Sequence, residues 1–426
     1  MINNKVSIIG LGFVGLPLAY CIAETGKYEV KGFDLSEDRI EIIKNKTAEI
    51  DDSFAKKVVD KTSFEVSTSP EIIKESEYII ICVPTPVFED TKLPNLSPII
   101  SASEMILKYL EKGQKIILES TVNPGVSEEV IKPILEKTGL KAGQDFEVSH
   151  CPERINPGDP TWNIKKIPRN VGSISLEGNK IVADFYRSFI DAEINELSTI
   201  KASEATKIIE NTFRDINIAY VNELAKSFDI MGIDLVEVIT AASNKPYAFM
   251  AHFPGCGVGG HCIPVDPYYL IDKAAHIGFE HSFLKKAREV NNSMPAYTID
   301  LLEQKLFEQK RHLKDTKIGV LGLSYKPNVP DLRESPSTKI IEILKEKACD
   351  FKTFDPHFPK MSSAKSLEEV LDTSDTIIIV TAHNEFKNLS GETLKKHNVE
   401  IVIDGRNCLN KEDLLKNNII YKGIGR

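Results

Sequence analysis

Over the first third of the chain, short and almost continuous apolar runs alternate with longer stretches of helical spacing. Val6-Ser7-Ile8-Ile9, Val30 to Phe33, Ile79 to Val83 and Lys115 to Leu118 read as strands buried on both faces, the pattern of a parallel sheet covered on each side by helices. A second alternation begins late, with Ile318 to Leu321, Phe351 to Phe354, Thr376 to Val380 and Glu400 to Ile403. Between them the texture differs. From Lys201 to Met231 there is neither Gly nor Pro, and Ala205, Ile209, Ile216, Tyr220, Leu224 and Phe228 recur at helical spacing. At about 1.5 Å per residue, such a helix reaches about 45 Å, long enough to bridge two domains. The pattern predicts an α/β protein: two doubly wound parallel-sheet domains joined by a long central helix in a helical connector.

Composition narrows the classes. The 426 residues leave room for two or three domains, with 42% hydrophobic and 27% charged residues, the balance of an ordinary globular protein. The formal charge of −9 disfavours binding nucleic acid through its phosphates. No window has the 18 or so consecutive apolar residues of a membrane span, and the start of the chain does not read as a targeting signal. There is no repeat of solenoid period. Seven cysteines cannot all pair and are too few for a disulfide scaffold, so reduced thiols in a cytoplasmic compartment are expected.

The first predicted strand runs into Gly10-Leu11-Gly12-Phe13-Val14-Gly15 and then a helix from Leu16 to Glu24. In that context the first glycine permits a tight turn and the second lets a pyrophosphate approach the backbone. The third lets helix and strand pack closely, with the helix N-terminus facing the anion. Asp34 lies 19 residues after Gly15, at the end of the next strand, where a carboxylate accepts bonds from ribose hydroxyls and repels a 2′-phosphate. The cofactor expected is NAD.

Gly257-Val258-Gly259-Gly260-His261-Cys262-Ile263-Pro264-Val265-Asp266 is the most unusual stretch. Its glycines allow close backbone approach to a ligand and leave the sulfur of Cys262 reachable, as a nucleophilic thiol requires. Cys21, Cys82, Cys349 and Cys408 read as small buried hydrophobes. A zinc site is an alternative for Cys256, His261 and Cys262, with Cys151 or a distant His as fourth ligand, although no CxxC spacing supports it. Glu204, Lys207, Asn211 and Arg214 share one face of the long helix. That stripe is either a solvated face or a polar wall facing a cleft, where Lys207 and Asn211 would stabilise an oxyanion.

Together these residues resemble the UDP-glucose/GDP-mannose dehydrogenase family, NAD-dependent enzymes that oxidise C6 of a nucleotide sugar to a carboxylate. The resemblance spans essentially the whole chain. It covers the N-terminal GLGFVGLP, Val83-Pro84-Thr85-Pro86, Glu119-Ser120-Thr121-Val122 with Pro124-Gly125, and Cys151-Pro152-Glu153-Arg154. It continues through the Lys207/Asn211 helix, GVGGHCIPVD and Asp331-Leu332-Arg333-Glu334-Ser335. It implies a Rossmann-like NAD domain (1–197), a central helical dimerisation domain carrying the cysteine loop (198–305) and a Rossmann-like UDP-sugar domain (306–426), with the active site in a cleft and a homodimer formed through the central helix.

Carried over by motif, Cys262 is the covalent nucleophile, Lys207 and Asn211 hold the C6 oxygen, and Asp266 works with Lys207 and a water in proton transfer. Thr121 helps to hold that water, and Glu153 assists thioester formation or hydrolysis. Gly10, Gly12, Phe13, Val14, Gly15, Asp34, Arg39, Pro84, Thr85, Thr121 and Arg333 are implied NAD contacts. Glu153, Arg154, Lys207, Asn211, Arg214, His252, Gly259, Lys326 and Arg406 are implied substrate contacts, and no metal is implied. The segments 153–158 and 211–217 and HCIPVDPYYL resemble the UDP-N-acetylhexosamine branch more than the UDP-glucose branch. Cys256 departs from the proline usual there. The competing readings are a UDP-glucose 6-dehydrogenase, a single-step alcohol dehydrogenase or epimerase with a structural Cys262, and an idle nucleotide-sugar-binding protein.

Overall fold

The computed structural model describes residues 4–426 apart from 49, 51, 89–92, 156–158, 160 and 261. Two compact units form, Met1–Glu210 with Tyr268–Glu280, and Asn211–Pro267 with His281–Arg426. The first holds strands β1 (Lys5–Ile9), β2 (Glu29–Phe33), β3 (Glu65–Ser67), β4 (Tyr78–Ile81), β5 (Lys115–Leu118), β6 (Glu147–His150), β7 (Arg169–Ser173) and β8 (Ile194–Glu196). Their order is β3-β2-β1-β4-β5-β6-β7-β8, parallel throughout except for the antiparallel β6–β7 pair. Successive side chains serve opposite faces: Ile80 and Ile117 join one core, while Ile79, Ile81, Ile116 and Leu118 join the other.

The apolar runs predicted β1, β2, β4 and β5. β6 and β7 escape that pattern because they read Glu-Val-Ser-His and Arg-Asn-Val-Gly-Ser. Most of their polar side chains are buried, and several pair locally. Ser149 Oγ and Ser173 Oγ lie 2.6 Å apart, and Glu147 Oε1 accepts from the backbone of Ile174 and Ser175. Strand order reverses between β1 and β4, so the loops following these strands flank the crevice where such sheets bind ligands.

In the second unit β9 (Lys317–Leu321), β10 (Asp350–Phe354), β11 (Thr376–Ile379), β12 (Ile401–Asp404) and β13 (Ile420–Gly423) form an all-parallel sheet, ordered β10-β9-β11-β12-β13. Here the reversal falls between β9 and β11. Four of these strands were legible as apolar runs. β13, reading Ile-Tyr-Lys-Gly, is the one they did not signal.

The long helix spans Ile200–Met231. It buries polar residues, Glu204, Asn211, Asp215 and Asn222, together with Ile208, Ala219, Val221 and Ala225. The four named polar side chains are all partnered, whereas the Thr212 hydroxyl, also buried on this helix, finds no partner among the described residues. Glu204 accepts from the backbone of Gly125 and Ser127, Asp215 pairs with Arg288 at 2.5 Å, and Asn222 accepts from Gly255 N–H at 3.0 Å. Meanwhile Ile209, Phe213, Tyr220 and Met231 are 58%, 45%, 57% and 64% exposed. At 100° per residue these four fall within about 40° of one another, so they form a single outward stripe. Among the described residues no helix is long and apolar enough to cross a membrane.

Candidate active site

In the first unit, the fingerprint turn grows out of β1. Gly10 has φ +91° and donates its N–H to the Phe33 carbonyl at 2.8 Å. A Cβ on Gly15 would lie 1.9 Å from the Gly10 carbonyl oxygen, so only glycine lets the helix Gly15–Ala23 pack this closely. At Gly12 a Cβ would meet nothing within 4 Å, which leaves room above the backbone for a ligand. No side chain caps that helix and no acid lies in its first turn, so its N-terminal amides remain suited to an anion. Phe13 is exposed and Val14 half-buried at the rim.

Asp34 follows β2 and accepts from Leu11 N–H at 2.9 Å and Ser36 N–H at 3.0 Å, which fixes the carboxylate beside the turn. Arg39 is drawn to the same turn, its Nε donating to the Leu11 carbonyl at 2.8 Å. Across the crevice Pro84 and Thr85 follow β4, and Tyr269 Oη donates to the Thr85 carbonyl at 2.5 Å. Thr121 follows β5, half-buried. These groups fit a dinucleotide with a free ribose 2′-hydroxyl.

In the same unit Glu153 and Glu119, both within motifs read from the sequence, meet Arg169 and Tyr186, which the sequence did not signal. Arg169 is fully buried, its Nη2 2.6 Å from Glu153 Oε2 and its Nη1 3.6 Å from Glu119 Oε2. Tyr186 Oη donates to Glu119 Oε1 at 2.5 Å. Burial pushes the Glu119 carboxyl up to about 7 against the pull of Arg169. Glu153 also accepts from the backbone of Arg154 and Ile155, at 2.5 and 2.6 Å. Arg154 grips Glu210 with two nitrogens, at 2.6 and 3.1 Å, and donates to the Pro168 carbonyl. Lys207 is half-buried on the long helix.

The second unit contains the thiol. The Cys262 carbonyl accepts from Val265 and Asp266 N–H, so the thiol sits at the entrance to the helix Asp266–His276. Asp266 is 2% exposed, and its Oδ2 accepts from Asn211 Nδ2 at 2.5 Å. Thus two residues separated by 55 positions, both singled out from the sequence, meet.

The glycines before the thiol are sterically required. A Cβ on Gly259 would lie 2.6 Å from the Tyr325 Cβ, and one on Gly260 (φ +94°) would lie 2.7 Å from the Tyr325 ring. Gly260 N–H donates to the Arg333 carbonyl at 2.9 Å. Arg333 itself is exposed and clamped by Asp331 at 2.6 Å. Arg406 donates to the Val380 carbonyl at 2.7 Å and the Gly257 carbonyl at 3.3 Å. Lys326 is half-buried in the loop after β9. Arg214 is exposed, and His252 packs edge-on against Phe213 with ring centroids 6.1 Å apart.

Cys256 is buried, its Sγ 3.5 Å from the Val380 carbonyl, while Cys151 belongs to the core of the first unit. His261, which the zinc reading needs, lies outside the described residues. Among the described residues, no group of three or more His, Cys, Asp or Glu is placed to hold a metal ion.

Three sequence models of one family cover the chain in order: its NAD binding domain at 4–190, its central domain at 201–293 and its UDP binding domain at 319–411. The chain belongs to the UDP-glucose/GDP-mannose dehydrogenase family. This dehydrogenase is 39% identical over 410 residues to a UDP-N-acetyl-D-glucosamine 6-dehydrogenase of Pseudomonas aeruginosa, covering 93% of this chain and 94% of that one. It is 37% identical to Protein CapL of Staphylococcus aureus over 423 residues, covering 97% and 98%. The structure of a UDP-D-ManNAc dehydrogenase from Pyrococcus horikoshii superposes with a TM-score of 0.91 at 35% identity, covering 99% of each chain. The dehydrogenase therefore takes NAD as its cofactor, and its C-terminal sheet is the UDP-binding one.

Proposed function

We propose that this dehydrogenase oxidises C6 of a UDP-N-acetylhexosamine to the carboxylate in two steps, with the intermediate aldehyde retained on Cys262. The observation that carries this reading is the thiol loop: a cysteine after two glycines that admit no side chain, with the Asn211–Asp266 pair four residues on. NAD, when bound, accepts the hydride that C6 loses in each oxidation. The turn Gly10–Gly15 takes the pyrophosphate and Asp34 the ribose hydroxyls, with Arg39, Pro84, Thr85 and Thr121 around them.

Lys207 and Asn211 hold the C6 oxygen while it carries negative charge, and Asp266 fixes the Asn211 amide for that task. The Cys262 sulfur adds to the aldehyde carbon, and the oxygen of the resulting thiohemiacetal is again held by Lys207 and Asn211. Hydride loss then leaves a thioester, which one water hydrolyses, regenerating the thiol and releasing the acid. Asp266 and Lys207 move the proton from that water, and Thr121 helps to hold it. Lys326, Arg333 and Arg406 face the diphosphate, while Arg214, His252 and Gly259 border the sugar. Both Glu153 oxygens and most of the Arg154 guanidinium are already engaged. We therefore assign this pair to shaping the 151–155 turn rather than to a reacting proton.

The relatives include a UDP-N-acetyl-D-glucosamine 6-dehydrogenase and a UDP-N-acetyl-D-mannosamine dehydrogenase, which have UDP-N-acetylhexosamine in common. A UDP-linked uronic acid is a glycosyl donor, which fits synthesis of surface polysaccharide precursors in the cytoplasm. The outward apolar stripe on the long helix fits pairing with a second copy. Mixing the protein with NAD and UDP-N-acetylglucosamine, -galactosamine, -mannosamine and UDP-glucose tests the substrate. NADH formed with an N-acetylhexosamine and little with UDP-glucose is expected. The reverse preference would assign the UDP-glucose reaction, and no NADH with any of them would refute the enzyme.

A further inference from the structure

The two sheets share one turn, residue for residue. Gly322 (φ +97°) donates to the Phe354 carbonyl at 2.9 Å, as Gly10 does to Phe33. Leu323 N–H donates to Asp355 Oδ2 at 2.7 Å, as Leu11 does to Asp34. His357 N–H donates to Asp355 Oδ1 at 2.8 Å, as Ser36 does to Asp34. Val380 N–H donates to the Leu321 carbonyl at 2.8 Å, matching Cys82 and Ile9. Counting on from that bond, His383 stands where the first sheet has Thr85.

The acids differ in what surrounds them. Asp34 is half-buried, whereas Asp355 is fully buried and its Oδ2 also accepts from Ser324 N–H, Ser324 Oγ and His383 Nε2, the last at 3.1 Å. His383 is itself buried, and its Nδ1 accepts from Asn328 N–H at 2.9 Å, so the ring proton sits on Nε2. Asn328 has φ +60°, and its Oδ1 accepts from Asn384 N–H at 3.1 Å. The clamped residue is two positions from Lys326. Its loop also carries Tyr325, against Gly259 and Gly260, and Arg333, whose carbonyl holds Gly260.

We propose that His383 is a positioning residue for the substrate: anchored on Asp355, it holds the 325–334 loop so that Lys326 meets the diphosphate. In the second sheet the ribose-type acid has become a fixed post. The inference rests on the reading that Lys326 contacts UDP, so the test begins with UDP alone.

Calorimetric titration of UDP into the full chain compares wild type, H383N, H383Q, K326A and H383Q/K326A. Asparagine keeps an acceptor at the Nδ1 position, whereas glutamine keeps only the donor toward Asp355. H383N, which keeps the acceptor for Asn328 but loses the Asp355 anchor, should bind UDP about two- to threefold more weakly than wild type. H383Q, which loses the loop contact itself, should bind about five- to tenfold more weakly, the size of one hydrogen bond. H383Q/K326A should bind no more weakly than K326A, because the effect passes through Lys326. In H383Q the KM for the UDP-sugar should rise with kcat little changed, and NAD affinity should stay at the wild-type value.

N384P, at the exposed first residue of a short helix where proline is tolerated, removes the outer tether without touching the buried histidine. It should weaken UDP in the same direction, and it carries the test if H383Q does not fold. Wild-type UDP affinity in both H383Q and N384P would overturn the proposal, as would an H383Q loss undiminished by K326A. Absence of UDP binding to wild type would instead refute the substrate reading.

Discussion

At the scale of single residues, glycines divide into those that the fold needs and those that a ligand needs. Gly15 and Gly12 belong to one motif, yet a Cβ strikes the Gly10 carbonyl in the first case and open space in the second. Gly12→Ala is therefore expected to leave the thermal midpoint within about 2 °C of wild type, while weakening NAD at least tenfold because the methyl occupies the pyrophosphate's approach. Gly15→Ala should lower the midpoint itself, since backbone must move. Thermal melts with and without NAD read both outcomes. Asp34 and Cys262 were legible from the sequence because motif spacing exposes them. Arg169 and His383 were not, since their meaning comes from partners 16 and 28 positions away, Glu153 and Asp355.

At the scale of elements, legibility follows how a segment satisfies its polar groups. β4 and β11 read Tyr-Ile-Ile-Ile and Thr-Ile-Ile-Ile and announce themselves, whereas β6 is buried through paired polar side chains. Its last residue, His150, is fully buried, and desolvation pushes the imidazole down to about 3. The unfolded chain takes up that proton near 6.5 and the folded one does not. Stability from this group is thus present above about pH 6.5 and lost as pH falls toward 3, by at most about 1.4 kcal/mol per pH unit. Urea midpoints should fall more between pH 7 and pH 5 for wild type than for His150→Gln.

The long helix was correctly placed, but its apolar spacing did not reveal which face is buried. Its polar residues turn inward to tie down the Gly125 and Gly255 segments, while Ile209, Phe213, Tyr220 and Met231 turn outward. On the proposed pairing of two copies through this stripe, Tyr220→Lys is expected to yield monomers where wild type sediments as a dimer. An unchanged dimer would remove this stripe from the interface.

For the molecule as a whole, the two sheets show one turn adapted to two tasks. The first leaves Asp34 half-buried, where we propose that it meets a ribose, and the second closes Asp355 under His383, below the loop that we propose meets a UDP-sugar. The acidic total charge is compatible with an anionic substrate because the proposal needs only a few cations, Lys207, Lys326, Arg333 and Arg406. In the proposed reaction Cys262 couples two hydride losses at one carbon. The most direct test of this coupling is the ratio of NADH to uronic acid accumulated over a complete reaction with the preferred UDP-sugar. Two NADH per uronic acid in wild type, with no acid formed by Cys262→Ala, is the predicted result. One NADH per product with free aldehyde released, or full conversion to acid by Cys262→Ala, would contradict it.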